Sequence, residues 1–160
     1  MTKRIRNSAK AIIIRDNHLL VIRKTSSEGG YAVVPGGGQK KSETLAQALK
    51  RECLEEINSK VKVGELIFLR EYFSDNHEFA NEAAHVHQVE FYFACSIKDD
   101  NVPCQGLIPD PGQIEIVWVP IDQLDSINLY PKAIIPIIQS GLPAGHQAVA
   151  GRNHQNRCLP

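Results

Sequence analysis

Apolar residues fall along this chain in two rhythms. Ala9 to Ile14 and His18 to Arg23 are short apolar runs on either side of Arg15-Asp16-Asn17, which reads as two strands and a hairpin-like turn. Tyr31 to Val34 is a third short strand, ended by Pro35. A helical period takes over from Ser42 to Ile57, where Leu45, Ala48 and Leu49 share one arc of a wheel that turns about 100° per residue. Val61 to Tyr72 carries Val63, Leu66, Ile67 and Leu69 and reads as a strand, followed by a polar loop over Ser74 to Ala84. His85 to Ile97 alternates in part, with Val86, Val89, Phe91, Phe93 and Cys95 to one side, as a long strand does. Pro103, Pro109 and Pro111 make Asp99 to Gly112 a loop. Ile114 to Val119, with the only tryptophan, Trp118, is a strand, and Ile121 to Leu129 a short helix or turn. Lys132 to Gln139 is a second helix, with Pro131 near its start and Pro136 inside or ending it. The order is that of one α/β domain over residues 1–140, followed by a tail over 141–160 rich in Gly, His, Asn and Gln, mobile or an arm on a partner subunit.

The first helix carries more charge than its apolar pattern explains. Arg51, Glu52, Glu55 and Glu56 lie within two turns, and the three glutamates span an arc of about 100° that continues the inward face. Arg51 and Glu55 form an i,i+4 pair of opposite sign, but Glu52 and Glu56 form a repulsive one. A helix built only for stability avoids that pair. Crowded carboxylates raise each other's pKa. Hard divalent cations relieve the conflict with oxygen ligands and bring a substrate phosphate with them. Upstream, Gly36, Gly37 and Gly38 permit positive φ and close backbone approach. Ser42 is the expected helix cap, with Glu43 and Thr44 in the first turn.

The spacing of Gly37, five residues, Glu43, seven residues, then Arg51-Glu52-Cys53-Leu54-Glu55-Glu56 resembles the signature of the Nudix hydrolases, G-x5-E-x7-R-E-U-x-E-E-x-G-U, with U a bulky apolar residue. The six most constrained positions agree. Cys53 is a small apolar substitute, Asn58 stands where Gly is usual, and Ser59 where an apolar residue is usual. Asn is the next best residue for a left-handed helix end. The resemblance implies a Nudix-type α/β/α sandwich with a mixed, partly antiparallel β-sheet between helices. It also implies a Mg2+- or Mn2+-dependent attack of water on a diphosphate linkage of a nucleoside diphosphate derivative. By position, the resemblance implies that Glu52, Glu55 and Glu56 are the metal-binding carboxylates, that Glu43 joins them or holds metal-bound water, that the backbone of Gly37 and Gly38 shapes the metal site, and that Arg51 is the motif's orienting residue. The family draws its general base from the helix or from a later loop, which makes Glu56, Asp110 and Glu115 the candidates here. Asp110 also reads as a turn former beside proline, and Glu115 as an exposed strand residue. Gly38, Tyr31, Arg23, Lys24 and Arg70 are candidate substrate contacts, with rim packing and solvated edge charge as their plainer roles. His85 and His87 point to one face of a strand, where they face phosphates or simply begin a polar strand.

Composition narrows the partners. The formal net charge of this 160-residue chain is zero, which argues against a broad grip on nucleic acid polymer or anionic membrane. No apolar run approaches the ~20 residues of a membrane span, and Met1 to Arg6 lacks a signal-peptide core. Cys53, Cys95, Cys104 and Cys158 show no paired spacing. Cys53 and Cys95 read as buried thiols, and a reducing cytoplasm is the expected compartment. A small nucleotide is the expected partner, with a homodimer as a further option. The secondary marks of ADP-ribose, dinucleoside polyphosphate, NADH and coenzyme A enzymes are absent, Ser74 to His77 holding neither the proline nor the tyrosine sought there. By exclusion the expected activity is a MutT-like nucleoside triphosphate pyrophosphohydrolase. An ADP-ribose or nucleotide-sugar pyrophosphatase is the alternative, as is a non-catalytic nucleotide-sensing module, against which the retention of every carboxylate speaks.

Overall fold

Asp16 and Asn17 close the first hairpin in the left-handed conformation, with φ of 49° and 59°, which their short polar side chains tolerate. The strands they join are Arg6–Arg15 (β1) and His18–Ser26 (β2). The computed structural model describes residues 4–73 and 86–142. The loop expected at 74–84, His85 and the tail beyond Leu142 lie outside the described residues. Gly29–Val33 (β3), Gly36–Gly38 (β4), Lys62–Phe73 (β5), His87–Ser96 (β6), Gln113–Pro120 (β7) and Leu129–Tyr130 (β8) complete the sheet. Leu45–Ile57 (α1), a 3₁₀ turn at Ile121–Ser126 and Ile134–Gln139 (α2) pack on it. The strand order is β5-β6-β1-β2-β3-β8, with β4 added to β1 and β7 to β2. β1 with β6 and β3 with β8 are parallel and the other pairs antiparallel, so the sheet is mixed.

Alternation along the central strands splits the core. Ala9, Ala11 and Ile13 of β1 and Leu20 and Ile22 of β2 pack against Leu49, Cys53 and Ile57 of α1. Ile12, Leu19 and Val21 point the other way, onto Leu124 of the 3₁₀ turn and Ile134, Ile135 and Ile138 of α2. Helices therefore cover both faces, as the sandwich requires. Each such large side chain contributes about 1.5–3 kcal/mol by leaving water. Burial pushes the Cys95 thiol up to about 12 and raises the Cys53 thiol well above its ordinary value, so neither is a ready nucleophile. No helix among the described residues is long and apolar enough to cross a membrane.

Two local expectations are corrected. Ser42 does not cap α1: it sits at φ 69°, and the cap is Thr44, whose hydroxyl accepts the Gln47 N–H at 3.1 Å while the Gln47 side chain accepts the Thr44 N–H at 2.8 Å. The glycine run is more than a turn. Gly36 to Gly38 pair with Lys10 to Ser8 as strand β4, and a Cβ at Gly36, whose φ is 132°, would run into the Ala9 carbonyl. Asn58 ends α1 left-handed at φ 48°, and its N–H returns to the Cys53 carbonyl.

The proline-rich loop straps the helix end. Cys104, Gly106 and Ile108 donate their N–H groups to the carbonyls of Ile57, Glu56 and Glu55 at 3.1, 3.0 and 3.1 Å, answering acceptors that a helix terminus leaves open. A Cβ at Gly106 would collide with the Glu55 carbonyl. Gly106→Ala is expected to destabilise the fold by about 2 kcal/mol. Gly30→Ala, whose new Cβ would meet nothing closer than 3.9 Å, should leave it near wild type. Equal denaturant midpoints for the two variants would contradict the strap.

On the sheet face away from α1, Glu90 is 4% exposed and accepts from Arg70 at 2.7 Å, Tyr92 at 2.8 Å and Gln88 at 2.7 Å. Burial pushes its carboxyl up, but the Arg70 guanidinium, the Lys10 charge and the Tyr92 hydroxyl together outweigh burial and the net shift is downward. A folded-state pKa below the unfolded value of 4.5 stabilises the fold at neutral pH, and that contribution fades as pH falls through the folded value. The melting temperature of wild type should thus fall more steeply on acidification below pH about 4.5 than that of Glu90→Gln. Parallel curves would show that Glu90 is not linked to folding.

Candidate active site

Arg51, in the second turn of α1, holds the first half of the site. Its Nε and Nη2 grip the two carboxylate oxygens of Glu43 at 2.6 and 3.0 Å, a forked pairing that lysine cannot make. Nη1 donates to Glu52 at 2.8 Å and to Glu55 at 3.1 Å, and Nη2 also donates to the Gly38 carbonyl at 2.9 Å. All five contacts match the five N–H groups of a guanidinium. The Arg51 fork, aided by the Lys40 N–H at 2.9 Å, lowers the Glu43 carboxyl to about 2. Glu43 in turn, followed by Glu52, drives the Arg51 pKa further up. The result is a permanently ionised anchor that ties the 38–43 loop to the helix.

Glu56 occupies a different place. It is 2% exposed, and its carboxylate accepts the Gly36 N–H at 2.8 Å. Burial raises its carboxyl well above the usual range against the pull of that N–H, and the charge of Asp110 adds to the rise. Asp110 behaves oppositely. Burial pushes it up, but the Lys24 ammonium at 3.1 Å and a hydrogen bond with Glu56 bring it below its ordinary value. Lys24, Asp110 and Glu56 thus form a chain in which Asp110 stays ionised and Glu56 holds a proton more readily. Lys24 was legible in one respect: it continues the inward alternation Leu20, Ile22, Lys24 of β2 at an unexpected charge.

Other candidates are scattered. Glu115 is not brought to the helix carboxylates. It pairs with Arg23 at 2.9 Å across β7 and β2, and both lie on the face of Val21 and Val117, away from α1. Roughly half exposed, the pair is an edge ion bridge, which removes Glu115 from the candidate bases and places Arg23 away from the helix carboxylates. Glu115 and Asp110 part because their partners do: Arg23 and Lys24 are consecutive on β2 and face opposite sides of the sheet. A bulge between them skips Ile114 on β7. Tyr31 lies opposite Lys24 on β3 and meets Tyr130 edge-on at 6.4 Å. Arg70 sits with Glu90 on the far face, and His87 pairs with Glu71 at 2.7 Å and stacks on Phe73.

The residues present suit a hard divalent cation. Three glutamates, Glu43, Glu52 and Glu55, meet one guanidinium, with Glu56 next to them on α1, and the side chains of Glu52 and Glu55 keep 13% and 24% of their surface open. Gly37 supplies the space: a Cβ there would lie 2.7 Å from both Glu52 carboxylate oxygens. Among the described residues no three carboxylates, imidazoles or thiols already converge on one point, because Arg51 gathers Glu43, Glu52 and Glu55 while Glu56 turns to Gly36. An all-oxygen set of this kind favours Mg2+ or Mn2+ over softer ions.

Comparison with known proteins addresses the family and the fold. The NUDIX domain family model matches residues 4–139. No curated protein matches the chain significantly. Among solved structures, a NUDIX hydrolase from Nitrosomonas europaea superposes with a TM-score of 0.67 at 17% identity, covering 85% of this chain and 87% of that one. A MutT NUDIX hydrolase from Burkholderia pseudomallei gives 0.58 at 24% identity, with 75% and 86% covered. An ADP-ribose pyrophosphatase from Streptococcus suis gives 0.53 at 15% identity, with 79% and 81% covered. With the family model spanning nearly all the described residues and the signature carboxylates standing around Arg51, the chain belongs to the Nudix hydrolase family.

Proposed function

We propose that the chain hydrolyses a diphosphate linkage in a small nucleoside diphosphate derivative, with Mg2+ or Mn2+ as cofactor and nucleoside triphosphates as its best substrates. The observation that carries this reading is the set of signature glutamates beside the glycine strand, Glu43, Glu52 and Glu55 gathered by a saturated Arg51 and Glu56 bonded to the Gly36 N–H. Fold likeness does not choose the substrate, since a MutT protein and an ADP-ribose pyrophosphatase are both similar to it. The triphosphate reading rests on the sequence marks that other subfamilies carry and this chain lacks.

Glu52, Glu55 and Glu56 are the residues that would hold the cation, with the Gly37 backbone beside them and Glu43 behind. A bound divalent ion supplies neutralisation of the phosphate oxygens and a more acidic water. The chain's own residues do the rest. Arg51 fixes where Glu52 and Glu55 point, and Glu43 keeps Arg51 in place. Water attacks phosphorus, the bridging P–O bond breaks, and the proton released goes to a carboxylate. Asp110, kept ionised by Lys24, and Glu56, hydrogen-bonded to it, form the acceptor pair on the buried side.

A phosphate-release screen tests the reading, using nucleoside triphosphates, ADP-ribose, nucleotide sugars and dinucleoside polyphosphates with each metal. One preferred triphosphate is the expected result. Silence across the panel from folded protein would overturn catalysis in favour of a sensing module. Glu55→Gln should lower kcat about 10³-fold without moving the melting temperature, and unchanged turnover would refute the metal-site assignment. Arg51→Lys keeps the charge but loses the fork, so kcat should fall about 100-fold with a lower melting temperature. Wild-type kinetics in that variant would show that charge alone suffices.

A further inference from the structure

The proposed chemistry uses one face of the glycine strand. The other face carries an ordered patch that it leaves unused. Arg6, Ser8 and Lys10 of β1 stand opposite Gln88, Glu90 and Tyr92 of β6, and these stand opposite Tyr72, Arg70 and Phe68 of β5. With strands about 4.8 Å apart, nine side chains form a three-by-three grid on the face turned away from α1. On the other flank of β1 the next row is β4, where Gly38 lies opposite Ser8 and Gly36 opposite Lys10, so the grid borders a strip without side chains. The Arg6 guanidinium folds over that strip. A Cβ at Gly38 would sit 2.6 Å from its Cζ.

The grid is basic. Three cations, Arg6, Lys10 and Arg70, surround one acid, Glu90, and their donors are not all used. Arg70 engages Glu90 through Nε and lies over the Tyr72 ring at 5.1 Å, while its two Nη groups make no hydrogen bond among the described residues. Arg6 is exposed and has neither a hydrogen bond nor an ion pair among the described residues. The patch also adjoins the catalytic pocket. Gly37, which makes room for the Glu52 carboxylate, lies between Gly36 and Gly38 on the same strand and faces the opposite way. The Lys10 ammonium donates to the Gly36 carbonyl at 3.0 Å, and its charge favours ionisation of Glu90 on one side and of Glu56 and Asp110 on the other.

We propose that this basic shelf is an anion subsite of the same enzyme, seating through Arg6 and Lys10, which lie over the Gly38 and Gly36 ends of the glycine strip, a substrate phosphate beyond the two that flank the scissile bond. It rests on the pyrophosphohydrolase reading and narrows it. Substrates with three or more phosphates in a row carry one past the pocket to the glycine strip, whereas a diphosphate capped by a neutral sugar leaves the shelf empty. Guanidinium groups suit this task because their forked donors match phosphate oxygens.

The test separates the shelf from catalysis. Inorganic tripolyphosphate and pyrophosphate are titrated calorimetrically into the full chain in excess chelator, so that no divalent ion helps. Wild type is expected to bind tripolyphosphate at least about tenfold more tightly than pyrophosphate, and Arg6→Gln to lose about tenfold of that affinity with an unchanged melting temperature. Arg6→Lys should recover part of the loss, and Lys50→Gln, an exposed charge on α1, should bind as wild type. Absence of tripolyphosphate binding to wild type, or an Arg6→Gln affinity equal to wild type, would overturn the shelf. Either result leaves the hydrolase reading standing wherever Glu55→Gln abolishes turnover, so the two proposals fail separately.

Discussion

The site depends on one guanidinium with every donor occupied. Four glutamates on and before a single helix repel each other, a conflict that a divalent cation relieves when bound. Arg51 answers it by binding Glu43, Glu52 and Glu55 together and by holding the Gly38 carbonyl. The same contacts pin the 38–43 loop against α1 and set the distance between the helix and β4. Glu43 sits at an exposed loop, yet the Arg51 fork keeps its carboxyl at about 2, so the anchor survives any mildly acidic medium. Glu56 escapes this grip because it lies one residue further round the helix, against the Gly36 N–H and Asp110. The helix thereby presents two kinds of carboxylate, one group oriented by a cation and one buried with a raised pKa, the division of labour that acid–base chemistry needs.

The glycine strand organises the rest by having no side chains. Gly36 allows β4 to close onto Ala9, Gly37 opens space for Glu52, and Gly38 opens space for Arg6 on the reverse face. An acidic pocket and a basic shelf are thus separated by one strand. The loop at 104–108, strapped onto the carbonyls of α1, brings Asp110 within reach of Lys24 and Glu56.

Much of the fold was legible because it rests on short-range pattern. The strand runs, the α1 period and the signature spacing are each set by residues close in sequence, whereas the division of the core by alternation in β1 and β2 is seen only in the structure. What escaped was set by distant partners. A triple glycine has poor strand propensity, and β4 exists only because β1 lies beside it. Ser42 and Thr44 are both fair caps by type, and Thr44 takes the role because Gln47 completes the capping box. Asp110 and Glu115 looked alike as acids before Trp118. Glu115 pairs with Arg23 and Asp110 with Lys24, consecutive β2 residues that face opposite ways, and no local signal announces those partners. The Arg70–Glu90 pair was invisible for the same reason, since twenty residues and a strand register separate its partners.

The central claim is that the α1 glutamates, rather than any later acid, hold the cofactor. Titration of Mn2+ into metal-free protein, followed by the loss of the free-ion paramagnetic signal, tests it directly. The account predicts saturable binding in wild type and in Glu115→Gln, and at least tenfold weaker binding in Glu52→Gln. Equal binding in Glu52→Gln and wild type, or weakening confined to Glu115→Gln, would contradict it.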